Sequence, residues 1–352
     1  MEHQVFFAIG LMSGTSLDGL DICYAQFIRN DDGWDFHILS SETIPYSADW
    51  EQSLRNATHL SSEELLQLNV DYGFFLGEKI QEFVTKYNIQ NPDLVASHGH
   101  TVFHQPNKKF TLQIGDGRAI KSKINTTVIY DFRSQDVILG GNGAPLVPIG
   151  DEYLFSEFDA CLNLGGFSNI SLKRNGKRIA FDIVPVNIIL NYLAKRLGEK
   201  YDKDGDFAKS GSIDTNLLEQ LNHLEFYQEK APKSLGTEWI IQHIVPLIKD
   251  QKPEDLLATF TEHAALQIAQ ILDAYKVRNV LVSGGGAYNS YLIERIKAKT
   301  KTEIHIPTNE IIEYKEALIF AFMGVLRFLN LNNVLSSATG SLQDHSSGLI
   351  AD

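Results

Sequence analysis

Cysteine is scarce in this chain, with only Cys23 and Cys161. Neither belongs to a CxxC spacing and no disulfide framework can be drawn from two, so a redox or thiolate-metal role is not indicated. A reducing, cytoplasmic setting is the simplest expectation. Positive charge is also short: 31 Lys and Arg stand against 44 Asp and Glu, a formal net charge of -13. That argues against nucleic acid as a partner, because phosphate-backbone binding needs dense Lys and Arg. It does not exclude a nucleotide, whose few phosphates can be held by backbone N–H groups and a magnesium ion. Long apolar runs are missing; Ala317 to Leu326 covers about half a membrane crossing, and the first ten residues lack a signal-peptide pattern. No membrane partner is therefore expected. The chain has no GxxxxGK[ST] and no GxGxxG after a strand, which removes the P-loop and Rossmann readings.

With 352 residues and 43% apolar content, the chain is long enough for two domains with filled cores. Element patterning shows an approximate repeat. In the first half, strands are expected at Val5–Gly10, Leu20–Ile28 and Asp35–Ser41, then a helix opened by a Ser61/Glu64 capping box, then short strands at Leu94–Ser97 and Thr126–Tyr130. In the second half, strands are expected at 160–164, 169–173 and 178–184, the last two joined by an Asn175-Gly176 turn. Helices near 187–197 and 255–276 and a strand at 279–283 follow, ending in three glycines. Two α/β units of one design predict a ligand cleft between domains. The expected boundaries are 1–130 and 131–330, with the tail 331–352 packing back on the first.

Three glycine-rich turns each leave a strand: Gly10-Leu-Met-Ser13-Gly14-Thr15-Ser16-Leu-Asp18-Gly19, Asn163-Leu-Gly165-Gly166, and Ser283-Gly284-Gly285-Gly286 running on to Asn289. Glycine lets backbone approach a ligand closely, and turn N–H groups can converge on anionic oxygens. Each turn alone reads as a plain hairpin; three together point to a nucleotide. Asp182 closes a strand before a Pro-containing turn and is either a catalytic carboxylate or a structural turn residue. His98, His100 and His104 form HxHxxxH, a poor zinc frame without a helical HExxH or a partner carboxylate. Asp202 to Asp206 fails as an EF-hand, having Phe207 and Ile213 where Gly and Glu belong.

The segment GLMSGTSLDGLD (10–21) resembles the signature of the anhydro-N-acetylmuramic acid kinases. SHGHTVFHQP (97–106), TLQIGDG (111–117), DFRSQDV (131–137), GGNGAPLVP (140–148), LNLGGFSNIS (162–171), YDKDGDFAKSG (201–211) and VSGGGAYN (282–289) follow in family order. The resemblance implies an α/β fold of two actin-like (ribonuclease H-like) ATPase domains with an interdomain cleft. It implies use of ATP and Mg2+ to open 1,6-anhydro-N-acetylmuramic acid hydrolytically and phosphorylate O6, in amino-sugar recycling. Asp182 then becomes the catalytic base, the glycine turns with Ser13, Thr15, Ser16, Asn163, Ser283 and Asn289 hold the nucleotide, and Asp18 orients the metal. His98, His104, Arg133, Asp136 and Glu316 are placed at the sugar, with the Arg133 fork suited to a lactyl carboxylate. A homodimer is compatible with the resemblance. Two segments depart from the family: His100 stands where glutamine is usual, and Ile183-Val184-Pro185-Val186 where Thr-Gly-Pro-Gly is usual. The valines predict a bulkier sugar wall, hence the alternative of a kinase for a related amino sugar; a non-catalytic, regulatory or chaperone-like ATP-binding protein is the other alternative, because the implied fold is shared with such proteins.

Overall fold

A computed structural model describes residues 4–14, 17, 19–31 and 33–352. The chain divides into two compact units, residues 1–154 with 314–352, and residues 155–313. The division lies beyond the expected 130/131 boundary because the segments after Tyr130 remain with the first unit, as does most of the last long helix.

In the first unit, β1 (Gln4–Ser13), β2 (Leu20–Asn30) and β3 (Gly33–Ile44) form an antiparallel meander. β4 (Leu94–Gln105) pairs parallel to β1, and β6 (Thr127–Tyr130) pairs parallel to β4. β5 (Phe110–Ile114) turns back antiparallel on β4, and the C-terminal β12 (Leu349–Ala351) adds to β6. The helix Ser62–Lys86 covers this sheet with Tyr72, Leu76, Ile80 and Phe83, spaced three or four residues apart so that they share one face. The capping box at its start is present: Glu64 N–H donates to Ser61 Oγ, and Ser61 N–H to Glu64 Oε2.

In the second unit, β7 (Ala160–Leu164), β8 (Phe167–Arg174) and β9 (Lys177–Pro185) form the meander. β10 (Asn279–Ser283) and β11 (Glu303–His305) continue it in parallel. The helices Asn187–Lys195 and Pro253–Ala274 bury their apolar faces in the same core as Leu162, Ile170 and Val280.

The first unit orders its strands β3-β2-β1-β4-β6 and the second β9-β8-β7-β10-β11, with matching directions. This is the ribonuclease H-like arrangement, present twice. The sheet of the first unit differs by its two additional strands. Parallel neighbours require crossovers, and the helices supply them.

Candidate active site

The end of β1 runs further than expected. Gly10 lies inside the strand, where the helix Asn309–Phe328 crosses it. A Cβ at Gly10 would run into the Ala317 carbonyl and meet Ala321 N at 2.7 Å, so this glycine serves helix-on-strand packing rather than a phosphate. Ser13 closes β1 with its hydroxyl buried: it accepts from Tyr46 OH at 2.7 Å and lies 3.0 Å from His100 Nδ1. Its side chain is therefore engaged inside the protein. Gly14 lies in the turn, and Leu17 N–H bonds back to its carbonyl at 3.3 Å. Gly19 backs onto the end of β3 at Thr43 and Ile44. Thr15, Ser16 and Asp18 lie outside the described residues.

The HxHxxxH segment is strand, not loop. β4 continues through all three histidines because β5 supplies a hydrogen-bonded partner as far as Gln105. His98 Nδ1 lies 2.9 Å from the Gly99 carbonyl, and Arg133 Nε–H donates to His98 Nε2 at 2.8 Å. A carbonyl can only accept, so Nδ1 carries the proton and Nε2 is the acceptor. Burial, with the guanidinium beside it, holds the imidazole pKa well below its ordinary value. Both ring nitrogens are occupied, which leaves His98 no lone pair for a metal. His104 is more open; its Nδ1 meets Thr111 Oγ1 at 3.2 Å, and partial burial and then Arg133 lower its pKa. Among the described residues no group of three His, Cys, Asp or Glu is placed to hold a metal.

Arg133 also donates from Nη1 to the Gly143 carbonyl at 2.7 Å. Desolvation brings its pKa down to about 10, against the pull of Glu316 and Asp136, so it stays cationic at neutral pH. Glu316 lies on the helix Asn309–Phe328. The helix begins at Asn309, placing Glu316 about two turns in, beyond the reach of a helix N-terminus. Desolvation by the surrounding protein raises its carboxyl pKa despite Arg133 and Lys315, although the side chain keeps a solvent-exposed face. The neighbouring Lys315 makes a buried 2.7 Å ion pair with Asp151, fastening this helix to the helix Pro148–Tyr153.

Asp136 corrects an expectation. It is fully buried, and its two oxygens accept from Gly143 N–H and Thr339 Oγ1–H, each at 2.7 Å. No oxygen is turned outward, so Asp136 shapes the 139–143 loop and, through Gly143, holds the carbonyl that Arg133 grips.

In the second unit, Ser283, Asn163, Asn169 and Asp182 stand opposite one another on β10, β7, β8 and β9. Cross-strand partners share a sheet face, so these four polar residues form one row. A register shift between Ser168 and Asn169 fits Asp182 into that row. Asp182 Oδ2 accepts from Leu235 N–H at 2.8 Å, and its own N–H reaches the Lys233 carbonyl. Burial raises its pKa and the Leu235 bond opposes that rise.

The two glycine turns of this unit pack on each other. Gly284 has φ +79, and a Cβ there would strike Asn163 Oδ1 and crowd Leu164. Gly286 packs on Leu164, whereas Gly165, Gly166 and Gly285 have no neighbour closer than ordinary contact except Asn163 beside Gly165. Asn187 Nδ2–H donates to the Leu164 carbonyl at 3.0 Å, between the turns. Asn289 caps the helix Ser290–Lys297 by accepting from Leu292 N–H, so its Oδ1 is occupied. Asp202 likewise accepts from Phe207 and Ala208 N–H, a capping role for the acidic loop.

The model of the family described as anhydro-N-acetylmuramic acid kinase matches residues 6–352. The chain belongs to the anhydro-N-acetylmuramic acid kinase family. Relatives of that name include one from Pasteurella multocida, 34% identical over 99% of this chain and 98% of its own. Another, from Francisella tularensis subsp. novicida, is 32% identical over 95% and 96%. A third, from Mannheimia succiniciproducens, is 34% identical over 97% and 98%.

The departure from the family pattern after Asp182 looks different once placed. Val184 and Val186 are 0% and 1% exposed and belong to the core of the second unit. They form no sugar wall. Two residues were not among the expected site residues: Asn169, which lies in the LNLGGFSNIS block, and Asn187, which starts a helix. Strand register places Asn169 beside Asp182, and the bond to the Leu164 carbonyl places Asn187; no local pattern encodes either.

Proposed function

We propose that this chain is an ATP-dependent sugar kinase that opens 1,6-anhydro-N-acetylmuramic acid with water and phosphorylates the freed O6. The observation that carries the reading is Asp182: a partly buried carboxylate in a polar row, with Oδ2 fixed by Leu235 N–H. Oδ1 has no hydrogen-bond partner among the described residues, leaving it to take a proton. A carboxylate of raised pKa is a better general base than an ordinary one while it stays ionised.

The Asp182 carboxylate removes a proton from the water that attacks the anomeric carbon. The C1–O6 bond breaks, and O6 attacks the γ-phosphate. Arg133 presents the part of its guanidinium not engaged by His98 and Gly143 to the lactyl carboxylate of the sugar. Glu316, whose carboxylate interacts electrostatically with Arg133, accepts from sugar hydroxyls. The neutral His98 keeps Arg133 oriented without adding charge. Gly166 and Gly285, where an added Cβ would meet only ordinary contacts with Ile188 and Asn187, line the place of the nucleotide next to Asn187. A magnesium ion, when bound, would supply charge neutralisation on the nucleotide phosphates.

What supports the anhydro sugar over a reducing amino sugar is the family match, with Asp182 as the base for the ring-opening water. Coupled ADP release across a panel of anhydro and reducing amino sugars tests this. Turnover confined to anhydro-N-acetylmuramic acid is expected; preference for a reducing sugar refutes it. A role in amino-sugar recycling follows from that substrate.

A further inference from the structure

Asp182 is gripped by a segment that lies outside its own sheet. Its N–H donates to the Lys233 carbonyl at 3.0 Å, and Leu235 N–H donates to its Oδ2 at 2.8 Å. Residues 233–235 therefore form a strap along β9, the last strand in the order of this sheet. The strap is neither helix nor strand, so no ladder of its own keeps it there.

Lys233 supplies the missing hold. Its ammonium donates to the Phe226 carbonyl at 2.8 Å and lies 4.3 Å from the centroid of the Phe226 ring. One side chain thus meets one residue twice, by hydrogen bond and by cation–π attraction. Phe226 is 4% exposed, and its ring packs on Trp239 and Tyr227 with centroids 5.5 and 5.6 Å away. Tyr227 OH lies 2.9 Å from Nε2 of His263, a buried residue of the helix Pro253–Ala274. His263 Nδ1 in turn lies 2.7 Å from Asn222 Oδ1. The anchor is therefore part of the core, and Lys233 ties the strap to it. Burial lowers the Lys233 pKa, with Glu229 opposing, as fits a head group drawn inward rather than left in water. Its charge does not act on Asp182, whose pKa is set by burial and by the Leu235 bond. Any influence of Lys233 on that carboxylate passes through the strap.

We propose that Lys233 is a positioning residue for Asp182: by gripping Phe226 it keeps Leu235 N–H on Oδ2 and leaves Oδ1 aimed at the water. The inference rests on the reading of Asp182 as the base.

Two measurements decide it, and the first needs no turnover. Hydrogen exchange of the Leu235 amide, followed by mass spectrometry, should speed up at least about tenfold in Lys233→Met, the loss of one hydrogen bond. Asp182→Ala, which removes the acceptor, should speed it as well. Unchanged exchange in Lys233→Met overturns the proposal. In kinetics, Lys233→Met should lower kcat about tenfold, with the Michaelis constant for ATP unchanged. Methionine keeps an apolar stem against the Phe226 ring, so Asp182 stays covered while the bond that lowers its pKa weakens. The acid limb of kcat against pH should then move to higher pH. Lys233→Arg, which keeps a donor and a cation over the ring, should restore kcat to within about threefold. A limb that stays in place or moves to lower pH, or an unaltered kcat, overturns the proposal. Absence of turnover in the unmodified protein with any sugar counts instead against the kinase reading, and the exchange result stands apart from it.

Discussion

Replacing Asp136 by asparagine removes a negative charge from a fully buried site while preserving shape. The carboxylate accepts from Gly143 N–H and Thr339 Oγ1–H, both at 2.7 Å. Hydrogen bonds to charged groups contribute about 1.5–3 kcal/mol each. Asparagine keeps one acceptor oxygen and turns an NH2 toward the other donor. If Thr339 rotates to accept, two charged bonds become two neutral ones; if it cannot, one donor is orphaned. The expected loss is therefore about 1.5–3 kcal/mol, read as a lower urea midpoint at unchanged slope. A functional consequence should accompany it. Gly143 N–H is held by Asp136 and Gly143 C=O by Arg133, so a loosened loop should raise the sugar Michaelis constant more than it lowers kcat. A stability change below about 0.5 kcal/mol, typical of surface positions, together with unaltered kinetics would refute the assigned role.

Three further outcomes are expected. Gly10→Ala should destabilise by at least about 1–3 kcal/mol, because the added methyl meets backbone of the helix Asn309–Phe328 rather than a yielding side chain; calorimetry checks this. Val184→Gly should lose about 2–4 kcal/mol from lost burial and a looser strand yet leave sugar preference unchanged, since Val184 lies in the core; a shifted preference would return it to the sugar site. The acid limb of kcat against pH should fall above the ordinary aspartate value of about 3.9. The base works deprotonated and burial raises the Asp182 pKa, so activity is lost as pH falls through that raised value.

Local chemistry was readable from the sequence and register was not. The Ser61/Glu64 capping box and the Asn175-Gly176 turn are short-range signals, and both occur as expected, with Asn175 and Gly176 at positive φ. The repeat of strand order was also legible, because hydrophobic runs and turn residues recur in both halves. The histidine segment misled: polar residues at His98, His100 and His104 look like a loop, but β5 provides their backbone partners from a distance. Glycine was ambiguous for a physical reason. Gly10 permits a helix to cross a strand, Gly284 permits a positive φ, and Gly285 has room for a Cβ in ordinary contact with Asn187, yet all three read alike in sequence. Asp136 carried a family motif without revealing that Thr339, far along the chain, takes up its second oxygen. Val184 and Val186 altered a motif without altering an exposed surface.

The most direct measurement is ADP release by Asp182→Asn with saturating ATP, magnesium and anhydro-N-acetylmuramic acid. Asparagine can still accept from Leu235 N–H but cannot take a proton from water. General-base catalysis contributes about 10²–10⁴-fold, so turnover should fall by at least about a hundredfold with the unfolding midpoint retained. Turnover within a few-fold of the unmodified protein would contradict the account.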